Sequence, residues 1–250
     1  MRSLHEGFAL CRRELVCLVG AGGKTSLLRR LAREIATDSG RVLVTTSTRM
    51  LRSELESCGP LVIESNSDAL LRALRVQHAQ VTAAAGAIGP DGKAVGLGVS
   101  ELDRIYESGI FGHILVEADG ARGRDLKAPA FAEPVIPATA TTVLALVGLR
   151  AVGHLIGATH VHRPEHVALI ANQEVGSEIS GETLLRIFER YRVLSLRMAP
   201  RAAFLPVLSQ ADTPERLELA MRLAARLSSS YDRVLVTAAR RRPCVCEVLC

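Results

Sequence analysis

Apolar and polar positions along the chain follow two alternating rhythms. Short apolar runs such as Leu15-Val16-Cys17-Leu18-Val19 have the pattern of strands buried on both faces, while stretches with apolar residues three and four apart have the period of helices. The runs predict strands over 14–19, 41–46, 61–64, 80–85, 112–117, 141–147, 204–209 and 233–238. The helical period predicts helices over 24–37, 48–57, 67–76, 100–107, 164–172, 181–190 and 214–229. Strands that alternate with helices favour a mainly parallel sheet covered on both faces. Turn chemistry punctuates the pattern. Asp38-Ser39-Gly40 stops the first long helix, and Gly89-Pro90-Asp91-Gly92 is a turn that makes 80–98 a candidate hairpin. Thr213-Pro214-Glu215 supplies an N-cap followed by proline at the first helical position. Segment 149–200 is more helical and lies between two core strands, as an insertion or lid within a single α/β domain over 1–250.

The junction of the first strand and first long helix carries the strongest chemistry. It is Gly20-Ala21-Gly22-Gly23-Lys24-Thr25-Ser26, a glycine-rich turn between an apolar strand and a helix. That layout is a phosphate-binding loop: glycines let backbone N–H groups crowd around phosphate oxygens, and the helix N-terminus adds partial positive charge. Lys24 is expected to neutralise β- and γ-phosphates, and the Thr25 hydroxyl to sit on Mg²⁺. Only two residues separate Gly20 from Gly23, so the loop resembles the short Gly-x-x-Gly-Lys-Thr form of Mur-type and folylpolyglutamate ligases. The expected fold is accordingly a P-loop NTPase-like three-layer sandwich with a mainly parallel sheet and a small helical insertion.

Composition strengthens the case for Lys24. Of 31 basic residues only Lys24, Lys93 and Lys127 are lysines, so lysine stands where a compact point charge is needed in a narrow loop. The net charge of +5 permits weak attraction to anions, but the arginine clusters Arg29-Arg30 and Arg240-Arg241-Arg242 have no interleaved aromatics to stack on bases, which argues against nucleic acid. Aromatic residues make up 3% of the chain and tryptophan is absent, so the core is built from Leu, Val, Ala and Ile. Met1–Phe8 has no long apolar stretch behind its charge, and no apolar run approaches ~20 residues, so neither a signal peptide nor a membrane span is expected. Six scattered cysteines fit a cytoplasmic chain with reduced thiols; Cys244, Cys246 and Cys250 form a C-x-C-x₃-C tail that is either a metal site or a strand or loose tail with incidental thiols.

Further candidates lie downstream. His113-Ile114-Leu115-Val116-Glu117-Ala118-Asp119-Gly120 is an apolar strand ending in two acids, which in an extended chain point the same way. Asp119 is expected to bind Mg²⁺ and Glu117 to orient attacking water, at the carboxyl edge of the sheet. Lys127, in the basic loop after them, is a candidate for clamping an anionic substrate, as is Arg163. Thr46, in the hydroxyl run Thr45–Thr48, either meets substrate or caps the next helix. His160, His162 and His166 are three of the seven histidines: the cluster is either a metal site, a place where His162 and Arg163 reach a phosphate or substrate carboxylate, or a helix-entry turn without chemistry. In Ser209-Gln210-Ala211-Asp212, Asp212 stands where phosphate-loop GTPases read guanine, without the stacking lysine; it or Thr213 equally serves as a helix cap.

Gly20–Ser26, Thr45–Met50, Glu117–Pro129 with Glu133-Pro134, Val161-His162-Arg163 and Gln210-Ala211-Asp212 together resemble the YqeC-type family of accessory proteins for selenium-dependent molybdenum hydroxylases. The resemblance implies a cytoplasmic protein that binds ATP or GTP with Mg²⁺. Its implied partner is a molybdenum hydroxylase, or the proteins that carry its cofactor during maturation. Glu117-x-x-Gly120 is similar to the Glu-x-x-Gly of metallochaperone GTPases, which agrees with a maturation role by analogy. Three chemistries fit the residues: nucleotide hydrolysis, an ATP-dependent ligase or kinase acting on a small molecule, and a nucleotide-switched binding module without turnover.

Overall fold

The structure is a computed structural model that describes residues 4–238 and 245–249. Its central strands are β1 (Glu14–Gly20) and β10 (Thr142–Gly148), buried at every position because helices cover both their faces. Around them stand β2 (Val42–Thr46), β4 (Leu61–Ile63), β5 (Val81–Ala85), β8 (His113–Glu117), β12 (Ala203–Ser209), β13 (Val234–Ala238) and β14 (Val245–Leu249). The nine strands run in the order β14-β13-β12-β10-β1-β8-β2-β5-β4, all pairings parallel except that of β14 with β13.

The period-two pattern of β1 divides the core. Leu15, Cys17 and Val19 face one hydrophobic cluster, and Val16 and Leu18 face another. The second cluster is closed by α1 (Leu4–Phe8), α2 (Lys24–Ser39) and α3 (Arg52–Glu56) through residues such as Phe8, Leu31 and Leu55. The first is closed by α4 (Ser67–Arg75), α5 (Val99–Glu107), α6 (Pro164–Ala171), α7 (Gly181–Met198) and α8 (Pro214–Leu227). Helices, sheet and helices make three layers.

The strands and helices expected from the pattern are present with small shifts at their ends, with instructive exceptions. The helix expected over 48–57 begins at residue 52, because Arg49–Leu51 forms β3. That strand pairs antiparallel with β7 (Lys93–Val95), which also pairs with β6 (Ala87–Ile88). The hairpin expected within 80–98 is therefore β6–β7 alone, while β5 enters the large sheet. α7 runs on to Met198, with Leu184, Ile187, Phe188 and Tyr191 fully buried. In segment 149–200 this helix thus forms a wall of the sandwich; the part that approaches the carboxyl edge of the sheet is β11 (Val161–His162), paired with β9 (Leu126–Lys127). Cys246 lies on β14, whereas Cys244, Cys250 and Arg240–Arg242 are outside the described residues. Among the described residues no helix is long and apolar enough to cross a membrane.

Candidate functional site

The sheet order places β8 directly beside β1, with Glu117 level with Leu18 and one strand-end away from the glycine turn. A cleft of about 1170 Å³ opens at this carboxyl edge. Its floor is the turn and the start of α2, and β3 with the β6–β7 hairpin supplies Arg49, Met50 and Lys93 as one wall. Arg122 and Gly123, His162 and Arg163 supply the opposite side.

Neighbours leave no room for a side chain at two of the turn's glycines, Gly20 and Gly22. A Cβ on Gly20 would overlap the Leu146 carbonyl oxygen, and one on Gly22 would overlap the backbone of Gly148; both residues have φ near +90° (88° and 87°). The Ala21 N–H donates to the Leu146 carbonyl at 2.9 Å, and the Ser209 hydroxyl donates to the Gly22 carbonyl at 2.7 Å. Gly23 is the N-cap of α2 and offers no side-chain acceptor, so the first amides of the helix are left without the usual cap. Gly22, Gly23, Lys24, Thr25 and Ser26 all line the cleft.

Beneath the turn lies a chain of buried charges. The Lys24 ammonium donates to the Gly20 carbonyl at 2.5 Å and pairs with Asp119 at 3.1 Å. The other oxygen of Asp119 accepts the Gly20 N–H at 3.0 Å and the Tyr191 hydroxyl at 2.8 Å, and meets Lys127 at 3.1 Å. Lys127 continues to Glu133 at 2.7 Å, and the Arg163 guanidinium donates to Glu133 at 2.5 Å. Thr25 donates its hydroxyl proton to Glu117 at 3.0 Å. Asp119 and Lys127 are completely buried, so their charges are tolerable only because each has partners on several sides.

The titration behaviour follows from this packing. Burial opposes the charge on Asp119, but Lys24, Lys127 and the Gly20 and Tyr191 hydrogen bonds outweigh it and hold its pKa below the ordinary carboxylate value. Glu117 goes the other way: burial raises its pKa, and Lys24 and Thr25 offset this only in part. Burial also opposes the Lys24 ammonium, yet Asp119 and Glu117 keep its pKa above the ordinary lysine value. His162 is pushed down to about 4 by burial and by the positive charges of Arg163, Lys127 and Arg122.

The predicted site residues separate into three groups. Gly20, Ala21, Lys24, Glu117 and Asp119 come together, but Gly20, Ala21 and Asp119 do not line the cleft: the Gly20 and Ala21 amides donate inward to Asp119 and to the Leu146 carbonyl, the Asp119 oxygens face inward, and the Thr25 hydroxyl pairs with Glu117 instead. Of the substrate candidates, His162 and Arg163 reach the cleft, while Lys127 and Thr46 lie behind it. The Thr46 hydroxyl donates to the Glu117 carbonyl at 2.8 Å and so anchors the strand end. Asp212 stands outside the cleft lining; Gln210 is there in its place, with φ of 65° and its amide donating to Asp125 at 2.9 Å. Thr213 caps α8. His160 stacks on His154 and pairs with Asp125, and His166 is exposed, so these do not converge with His162. No group of three or more His, Cys, Asp or Glu placed to hold a metal ion occurs among the described residues.

Tyr191 escaped sequence reasoning. It falls one residue past the helix expected over 181–190, and nothing local distinguishes a tyrosine that packs from one that donates to a buried carboxylate 72 residues earlier. Its one signal is rarity, since the chain has only three tyrosines.

A three-layer α/β protein with a charged cleft at the carboxyl edge of a mainly parallel sheet is the class that fold and site define. The model of the family described as YqeC protein matches residues 16–165, and the chain belongs to that family. It is similar to the protein named "Uncharacterized protein YqeC" of Escherichia coli (strain K12), 35% identical over 157 residues. The match spans 61% of this chain and 58% of that protein, less than two thirds of the relative's length. The family match includes the turn, Glu117, Asp119, Lys127, Glu133 and Arg163, and stops before Tyr191 and Ser209.

Proposed function

We propose that the cleft binds a nucleoside triphosphate with Mg²⁺ through a P-loop and hydrolyses it, in support of the maturation of a selenium-dependent molybdenum hydroxylase. The observation that carries the nucleotide reading is the Lys24 ammonium lodged against the Gly20 carbonyl and Asp119 at the mouth of an uncapped helix. Lys24 itself lines the cleft, and the uncapped backbone amides and dipole of the α2 N-terminus converge on the same point. The maturation role rests on the family resemblance, and with it comes action in the cytoplasm on ATP or GTP.

Each residue has work that follows from its position. The amides of Gly23 to Ser26 bind phosphate oxygens, the Gly22 N–H being donated to the Arg124 carbonyl at 3.2 Å, and Lys24 turns from Asp119 to the β- and γ-phosphates. Thr25 and Glu117 are hard oxygen donors 3.0 Å apart, a set that suits Mg²⁺, which takes few protein ligands and retains water. Bound there, the ion would neutralise charge building on the phosphates. Glu117 therefore replaces Asp119 as the metal-side carboxylate. Asp119 acts as a positioning group that holds the turn through the Gly20 N–H and keeps Lys24 protonated.

Calorimetry and phosphate release with ATP and with GTP, Mg²⁺ present, test the reading. Micromolar-range binding and slow phosphate release are expected, with Lys24→Ala abolishing both. Unchanged nucleotide affinity in Lys24→Ala, or no binding of any triphosphate by the wild type, would sink it.

A further inference from the structure

We propose that Arg122, His162 and Arg163 form a second oxyanion site in the same cleft, which receives the phosphate or carboxylate end of a co-substrate. Its role as a co-substrate site rests on the nucleotide reading; the site itself stands on separate residues.

The topology assembles it. β9 and β11 pair in parallel with Leu126 beside Val161 and Lys127 beside His162, which draws the loop after β8 to the entrance of α6. Two arginines at that junction adopt backbone conformations that L-residues rarely take: φ is 50° at Arg122 and 63° at Arg163. Such strain persists only where the surroundings impose it, and it collects at ligand sites. Both side chains line the cleft as a result.

Their bonding leaves capacity for a ligand. Arg122 is exposed and makes no hydrogen bond or ion pair among the described residues. Arg163 has five N–H donors and shares two nitrogens with Glu133, at 2.5 and 3.4 Å. The His162 ring has no hydrogen-bond partner among the described residues and is uncharged at neutral pH, so it can donate one hydrogen bond to an oxygen without another positive charge. Glu133 is the acid facing this group, and Lys127 and Arg163 already engage it. A planar guanidinium with an unpaired neighbour is suited to the paired oxygens of phosphate or carboxylate.

Space permits two ligands. The cleft of about 1170 Å³ exceeds the roughly 300–1000 Å³ of pockets that enclose one small molecule. A site in the same cleft as the P-loop would set an acidic co-substrate near the nucleotide's phosphates, as a transfer reaction needs.

The test uses the full chain carrying Lys24→Ala, which takes the ammonium out of the P-loop and weakens it as an anion site. Inorganic phosphate and malonate are titrated separately by calorimetry and by NMR of the His162 ring. At least one of them is expected to bind and to raise the His162 pKa from about 4, since a nearby anion favours the imidazolium. Phosphate alone identifies a phosphorylated co-substrate, and malonate alone a carboxylate. Adding Arg122→Gln should weaken that binding about tenfold or more, the size expected for one lost charge-assisted contact. Because Arg122 is exposed and unpaired, its variant keeps the fold even if Arg163→Gln does not. Loss of all oxyanion binding in Lys24→Ala, or binding indifferent to Arg122→Gln, would overturn the second site while leaving the nucleotide reading in place. If nucleotide fails to bind but the oxyanion still does, the nucleotide reading falls and the site remains.

Discussion

The floor and the rim of the cleft carry similar charges in opposite circumstances. On the floor Lys24, Asp119 and Lys127 are 4%, 0% and 0% exposed and each is held by several partners. At the rim Arg49 and Asp91 pair with side chains 53% and 42% exposed, and Arg122 has no partner among the described residues. Buried charges must be matched because water is absent, so removing one leaves another stranded. Rim charges are already solvated and remain free to meet a ligand. The floor therefore holds a backbone turn in place, and in the proposed reading the rim is the part that recognises a ligand.

The contrast can be broken most severely at Lys127. Lys127→Met strands Asp119 and Glu133 and should cost about 3–5 kcal/mol of stability by denaturant unfolding; a loss under about 1 kcal/mol would mean the floor tolerates unmatched charge. Tyr191→Phe removes a single donor from Asp119 and should cost roughly 1.5–3 kcal/mol. Its nucleotide affinity should fall less than that of Lys24→Ala, since the hydroxyl only steadies the carboxylate.

Acid sharpens the comparison further. The pKa values of Asp119 and Glu133 are depressed from the ordinary 3.8 and 4.5. Their contribution to stability is complete above those values and lost as pH falls through the depressed ones. Glu117, with its raised pKa, has the opposite sign: its contribution is complete below 4.5 and lost as pH rises through its higher folded value. Unfolding midpoints measured from pH 7 downward should therefore fall steeply only on the acid side of Glu133's ordinary value. Glu133→Gln should flatten that limb, whereas Glu117→Gln should not. The smallest effect belongs to the rim: Arg49→Ala should change stability by about 0–1 kcal/mol, less still in high salt.

Much of this arrangement is legible in the sequence. The glycine turn could be read because its residues are consecutive and its context, an apolar strand before and a helical period after, is local. Glu117 and Asp119 stand out for the same reason, as acids at a strand end. Their division of labour was not legible, because it depends on which carboxylate the turn and α7 enclose. A two-residue spacing says that both acids share a side of the chain; it does not say that one is covered by Tyr191 and Lys127. The expected helix over 48–57 failed similarly. Its first residues satisfy their backbone on β7, more than forty positions away, and local propensity carries no record of that partner.

Left to itself, the chain determines its elements and the residues that end them, since period, turn chemistry and capping act over a few neighbouring positions. Tertiary structure alone decided that β8 lies beside β1, that Asp119 is enclosed while Glu117 reaches the cleft, and that Arg122 lines the same cleft as His162 and Arg163. Those outcomes depend on strand order and on contacts between residues tens of positions apart. Burial, and with it the worth of every charge, comes into being only when those distant segments pack.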